Sequence, residues 1–137
     1  MENSIRIDTG MKRVIVNDDE ARVIEFNPED IVFAEQFYGL IQSFEEKEAE
    51  YKARFAELDA NKEVDQYGLL VNTPERIGVV LDLVKYMKDQ IDTVFGPGTS
   101  QAAFGNAATL GMFEQFFSGI LPFIQTGREK KVSRYKK

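Results

Sequence analysis

Phe33, Phe37, Leu40, Ile41, Phe44, Tyr51, Phe55 and Leu58 recur at three- and four-residue spacings, which sets them on one stripe. That pattern predicts one long helix over about 28–59, roughly 48 Å at 1.5 Å per residue. Asn27 is the expected N-cap, Pro28 suits the first helical position, and Asp30 can reach back to the free amides. Between Phe44 and Tyr51 the run EEKEAE thins the stripe to Ala49. A compact domain of this length has a radius of gyration of roughly 14 Å, so the helix outruns its own chain unless a second helix returns along it. Its far half therefore pairs with that helix, stands in water or meets another protein.

Upstream the period changes to two. Residues 4–8 (SIRID) alternate, with Ile5 and Ile7 on one face, and 12–17 (KRVIVN) and 21–26 (ARVIEF) are β-branched. Gly10 and the run Asn17, Asp18, Asp19 supply turn chemistry, so two or three short antiparallel strands are expected within about 4–26. A sheet this small needs a helix on one face, and Phe33, Phe37 and Leu40 are the expected contacts.

Downstream, 60–73 (ANKEVDQYGLLVNT) is a polar connector, and Thr73 and Pro74 open a second helix over about 74–95. Ile77, Val80, Leu81, Val84, Met87, Ile91 and Val94 form its stripe, and Gly96 and Pro97 stop it. It is the expected antiparallel partner of the long helix. A short turn, QAAF, precedes a last helix over about 109–126, which Pro122 is expected to kink or break. The segment REKKVSRYKK (128–137) is expected to fray. The fold class is thus α+β: short N-terminal antiparallel strands, then three or four helices, the first two a helical hairpin. Residues 1–127 read as one domain and 128–137 as a basic tail.

Composition narrows the chemistry. The chain has no Cys and no His, which removes disulfides, Ser-His-Asp and Cys-His catalysis and ordinary zinc sites. No enzyme, metal or cofactor is expected. There is no apolar run near 18 residues and no apolar leader in MENSIRID, so an intracellular protein without a membrane span is expected. The net charge of −6 divides into +5 over 128–137 and −11 over 1–127. An acidic body repels phosphates and argues against nucleic acid, while the basic tail can dock on an acidic partner or simply solubilise the terminus.

Other patterns yield to plainer readings. DANKEVDQYG (59–68) offers oxygens but lacks the Gly and Glu of a calcium loop, so it reads as a solvated connector. Nine acidic residues from Glu29 to Asp59 against three basic ones read as a solvated helix face rather than paired catalytic carboxylates or a DNA mimic. GPGTSQAAFG (96–105) follows a helix and carries no Lys, so it reads as a helix–helix turn and not a phosphate loop. In the last helix Phe113, Phe116, Phe117 and Phe123 do not share one narrow stripe. Most of that helix reads as core, with some rings left for a partner. These four, with Arg128, Lys130, Lys131 and Arg134 of the tail, are the candidate partner-binding residues.

Three stretches carry a resemblance: IEFNPEDIVFAEQFYGLI (24–41), IDTVFGPGTSQAAFG (91–105) and MFEQFFSGILPFIQTGREKKVSRYKK (112–137). Together they resemble small tailed-phage and prophage proteins of Gram-positive hosts, similar to tail assembly chaperones encoded between the tail tube and tape measure proteins. The resemblance implies a non-enzymatic factor that coats the tape measure protein, recruits tail tube subunits and leaves before the virion is complete. It also implies work in the bacterial host cytoplasm, and leaves a homo-oligomer open. A structural tail subunit retained in the virion and an acidic inhibitor of a host enzyme are the alternatives.

Overall fold

The computed structural model describes the backbone of residues 2–135 and the side chains of residues 2–126. Two antiparallel strands, β1 (Lys12–Val16) and β2 (Asp19–Phe26), precede four helices: α1 (Ile31–Asp59), α2 (Thr73–Phe95), α3 (Thr99–Phe104) and α4 (Gly111–Tyr135). This is the expected α+β fold.

Asn17 and Asp18, with φ of 54° and 59°, make the two-residue turn that matches the twist of a hairpin. Lys12 pairs with Phe26, Val14 with Ile24 and Ile15 with Val23, but Val16 pairs with Asp19. Glu20, Ala21 and Arg22 are therefore extra residues on β2. Alternation puts Ile24 and Phe26 in the core, with Val14 and Val16 packed beside them, and leaves Arg13, Ile15 and Glu25 outside.

Residues 4–8 do not form the strand their alternation predicts; they take no regular structure. The Asn27 amide donates to the Thr9 carbonyl, Asp8 accepts from the Gly10 amide, and Gly10 has a φ of 96°. The chain is thus held beside Asn27, past the end of β2, and does not fold back along β1.

The start of α1 also differs from expectation. Asp30, not Asn27, is the N-cap: its Oδ1 accepts from the Val32 and Phe33 amides. Asn27 spends its side-chain oxygen on the Glu29 amide in a turn before the helix. From there α1 runs about 43 Å. Its buried residues, Phe33, Ala34, Phe37, Leu40 and Phe44, all lie in the first half. α2 returns antiparallel, joined by Ser43 to Tyr86 (2.8 Å), Arg54 to Asp82 (3.8 Å) and Asp59 to Arg76 (2.6 Å). Asn72 ties the tip of the hairpin by donating to the Leu58 carbonyl.

α3 fills the corner between β2 and α2. The Arg22 guanidinium donates to the carbonyls of Ala102 (2.8 Å) and Ala103 (2.7 Å), and Lys88 donates to that of Gly105. The turn after α3 uses the Phe104 carbonyl, through the Ala107 amide, and the two cations satisfy carbonyls around it at the helix C-terminus. Arg22→Ala should cost about 2 kcal/mol, the scale of hydrogen bonds to a charged group. A denaturant melt checks this, and Arg22→Lys should recover only part of the loss, because an ammonium lacks the two-pronged geometry.

α4 does not break at Pro122 and continues through the expected tail to Tyr135. Pro122 and Ser118 are both exposed, so the Ser118 carbonyl that Pro122 leaves without an amide can turn to water. Among the described residues no helix is long and apolar enough to cross a membrane.

Candidate partner-binding surface

Ten of the eleven phenylalanines form one ring network: Phe26, Phe33, Phe37, Phe44, Phe95, Phe104, Phe113, Phe116, Phe117 and Phe123. α4 supplies four of them. Phe113 packs on Phe44 and Phe104, Phe116 on Phe95 and Phe104, and Phe117 on Phe37 and Phe44. Phe113, Phe116 and Phe117 are 0%, 8% and 7% exposed. In the single chain these three are core, and they are not a free docking face. The rings span a wide arc because α4 is covered on two flanks, by α1 on one and by α3 with Phe95 on the other. Phe123 is half-buried, edge-on to Phe26 with the Lys12 ammonium 5.9 Å above it. The side chains of Arg128, Lys130, Lys131 and Arg134 lie outside those described.

The apolar surface left over lies in the hairpin. Phe55 is the one phenylalanine outside the ring network. α4 begins at Gly111, near the level of Phe44, so it stops short of the distal half of α1 and α2. There Tyr51 and Phe55 of α1 face Val79, Val80 and Leu83 of α2 across a narrow cleft of about 70 Å³, closed at one end by Leu110. Glu48 and Lys52 are its polar rim. Ile77, three residues before Val80, adjoins it on the flank of α2, while Leu81 is turned about 100° further round the helix; both are at least half exposed.

The connector continues this surface. The sequence predicts a polar connector here, but it presents Val64, Leu69, Val71 and a Tyr67 that is 78% exposed. Asp65 explains the shape: its carboxylate accepts from the Tyr67 and Leu69 amides. The Val64–Leu70 bridge and Gly68, at φ 79°, close the turn. A carboxylate spent on its own loop is a turn former. The signal was present in the sequence as apolar residues inside EVDQYGLLV, though their exposure depends on the absence of a third layer.

Among the described residues no group of three or more His, Cys, Asp or Glu is placed to hold a metal ion. The polar groups of the Gly-rich turn are used internally: the Asp92 carboxylate accepts from the Ser100 amide and hydroxyl, both at 2.8 Å, and Thr99 donates to the Gly96 carbonyl. Lys47 has its pKa raised by its hydrogen bond and attraction to Glu50, and sits 4.9 Å above the Tyr86 ring.

No curated protein and no solved structure matches the chain. Residues 17–137, from the β-turn through α4, match the profile of DUF6673, a family of unknown function, and the chain belongs to that family.

Proposed function

We propose that the protein is a non-enzymatic phage tail assembly chaperone that binds the tape measure and tail tube proteins during tail morphogenesis in the bacterial host cytoplasm. The observation that carries the reading is the distal half of the α1–α2 hairpin. It displays Tyr51, Phe55 and Val80, with the exposed Ile77 beside them, along two antiparallel helices, and among the described residues no third helix lies over them. A cleft between two helices is the shape that receives an amphipathic helix, whose apolar residues at i, i+3, i+4 and i+7 settle between the ridges. A tape measure protein is a long helical chain, and unassembled it carries such apolar stripes uncovered. The acidic body keeps the loaded chaperone soluble by mutual repulsion. The sequence resemblance supplies the biological setting, and the uncovered hairpin supplies the contact.

Two experiments test the reading. The chain is co-expressed with the tape measure protein of the same tail gene cluster, and the soluble fraction of that protein should rise several-fold. Mass spectrometry of purified virions should not find the chain. Its presence at stoichiometric levels supports a structural tail subunit instead, and an unchanged insoluble tape measure protein overturns the chaperone assignment.

A further inference from the structure

The N-terminal segment and the sheet edge are each incomplete. Ile5 and Ile7 are 83% and 74% exposed, more than almost any other large apolar side chain in the protein, and they stand in an alternating strand-like sequence that has no strand partner. β1 is one edge of a two-stranded sheet. The outer side of β2 is covered, because α3 packs on it and Arg22 bonds the α3 carbonyls. Among the described residues no backbone group outside β2 bonds to β1. An open edge beside an unpaired alternating segment is a template for strand addition.

We infer that residues 4–8 of one copy pair with β1 of a second copy, and that the exchange is reciprocal, giving a two-fold symmetric dimer. Three features select this occupant. The lengths suit each other: residues 5–8 cover Arg13–Val16, four of the five residues of β1. The side-chain pattern agrees in one antiparallel register, with Ile5 beside Val16, Arg6 beside Ile15, Ile7 beside Val14 and Asp8 beside Arg13. Ile5 and Ile7 then join Val14 and Val16 on the face that packs on the helices, while Arg6 and Asp8 face water. Charge agrees too: Asp8 meets Arg13, whose guanidinium has Glu25 3.7 Å away on its own sheet.

Exchange between copies is favoured over folding back within one chain by the anchor at Thr9. Its carbonyl accepts from Asn27, which follows the last residue of β2. At Gly10 an added Cβ would lie 2.0 Å from a Glu29 carboxylate oxygen, so the chain passes tightly through that corner. Thr9 and Gly10 are thus held beside Asn27 and Glu29, past the end of β2, and residues 4–8 make no backbone bond to their own β1. A reciprocal exchange is isologous and closes at two copies. This dimer does not depend on the client-binding reading.

The full chain lacks Cys, which allows a clean test. Arg6→Cys and Ile15→Cys are made as separate single variants, mixed and mildly oxidised. A disulfide-linked species at twice the 15.6 kDa chain mass should form in the mixture and much less with either variant alone. Light scattering should give the wild-type dimer, and deletion of residues 2–8 should give a folded monomer by circular dichroism. Ile5→Asp with Ile7→Asp should weaken the dimer at least about tenfold, since each isoleucine contributes burial worth more than that. The inference is overturned if the full chain is monomeric at tens of micromolar, or if the dimer survives the deletion. It is equally overturned if Arg6→Cys and Ile15→Cys in one chain yield an intramolecular disulfide in a monomer.

Discussion

A chain carrying Phe117→Asp does not fold. The ring is 7% exposed and lies 6.1 Å from the Phe37 ring and 5.7 Å from the Phe44 ring, at the centre of the contact between α4 and α1. Removing a buried phenylalanine side chain costs about 3–5 kcal/mol through lost transfer energy and the cavity left behind. A carboxylate in its place adds several kcal/mol, because it must shed water or take up a proton. The sum meets or exceeds the ~5–15 kcal/mol by which a domain is stable. Near-ultraviolet circular dichroism should lose its aromatic signal and thermal unfolding its cooperativity. Phe116→Ala, which removes a ring without adding charge, should stay folded and melt lower by about 3–5 kcal/mol. A soluble, cooperatively folded Phe117→Asp protein would mean that α4 is a docking face after all.

The opposite result is expected in the distal hairpin. Leu69→Asp combined with Ile77→Asp should leave the melting temperature within a degree or two, because both side chains are more than half exposed and surface changes shift stability by about 0.5 kcal/mol or less. The same pair should abolish the solubilisation of a co-expressed tape measure protein. Two carboxylates facing the apolar side of a client helix each meet a desolvation penalty of about 2 kcal/mol or more, and every 1.4 kcal/mol is a tenfold loss of affinity. Arg54→Ala serves as the control. It removes an exposed ion pair to Asp82 without adding charge to the apolar side, and should change neither stability nor rescue by much. A folded double variant that still rescues the client fully removes the hairpin from the mechanism.

Much of the architecture was legible because one signal dominated each segment. The helical period from Phe33 to Leu58 and the Thr73–Pro74 start led to the hairpin, and Gly96–Pro97 marked its end. The signal misled where two local rules competed. Asn27 and Asp30 are both good caps three residues apart. The chain uses Asn27 for a turn and for the tie to Thr9, which leaves Asp30 to cap α1. Ile5 and Ile7 alternate like a strand, but pairing is a non-local property, and the Asn27 anchor draws the segment off the sheet. Pro122 weakens a helix locally, and the packing of Ile120 and Ile124 on either side carries α4 past it.

The candidate surface was harder to read. Four phenylalanines on one helix look like excess apolar area when only one flank is assumed covered. Two flanks are covered here, and the rings are consumed by Phe37, Phe44, Phe95 and Phe104. Exposure went instead to Ile77, Leu81 and the EVDQYGLLV connector, with Phe55 left partly buried, because α4 starts too near the middle of the hairpin to reach them. Periodicity gives the direction of a side chain, and only the lengths and positions of neighbouring elements decide what covers it.

Hydrogen exchange on the purified complex with a tape measure segment tests the central claim most directly. The claim predicts slowed exchange of backbone amides across 51–58, 64–71 and 76–81, with α4 amides around Phe113–Phe117 unchanged. Protection confined to α4 or the β-hairpin, with the distal half of α1 and α2 exchanging as in the free protein, would contradict it.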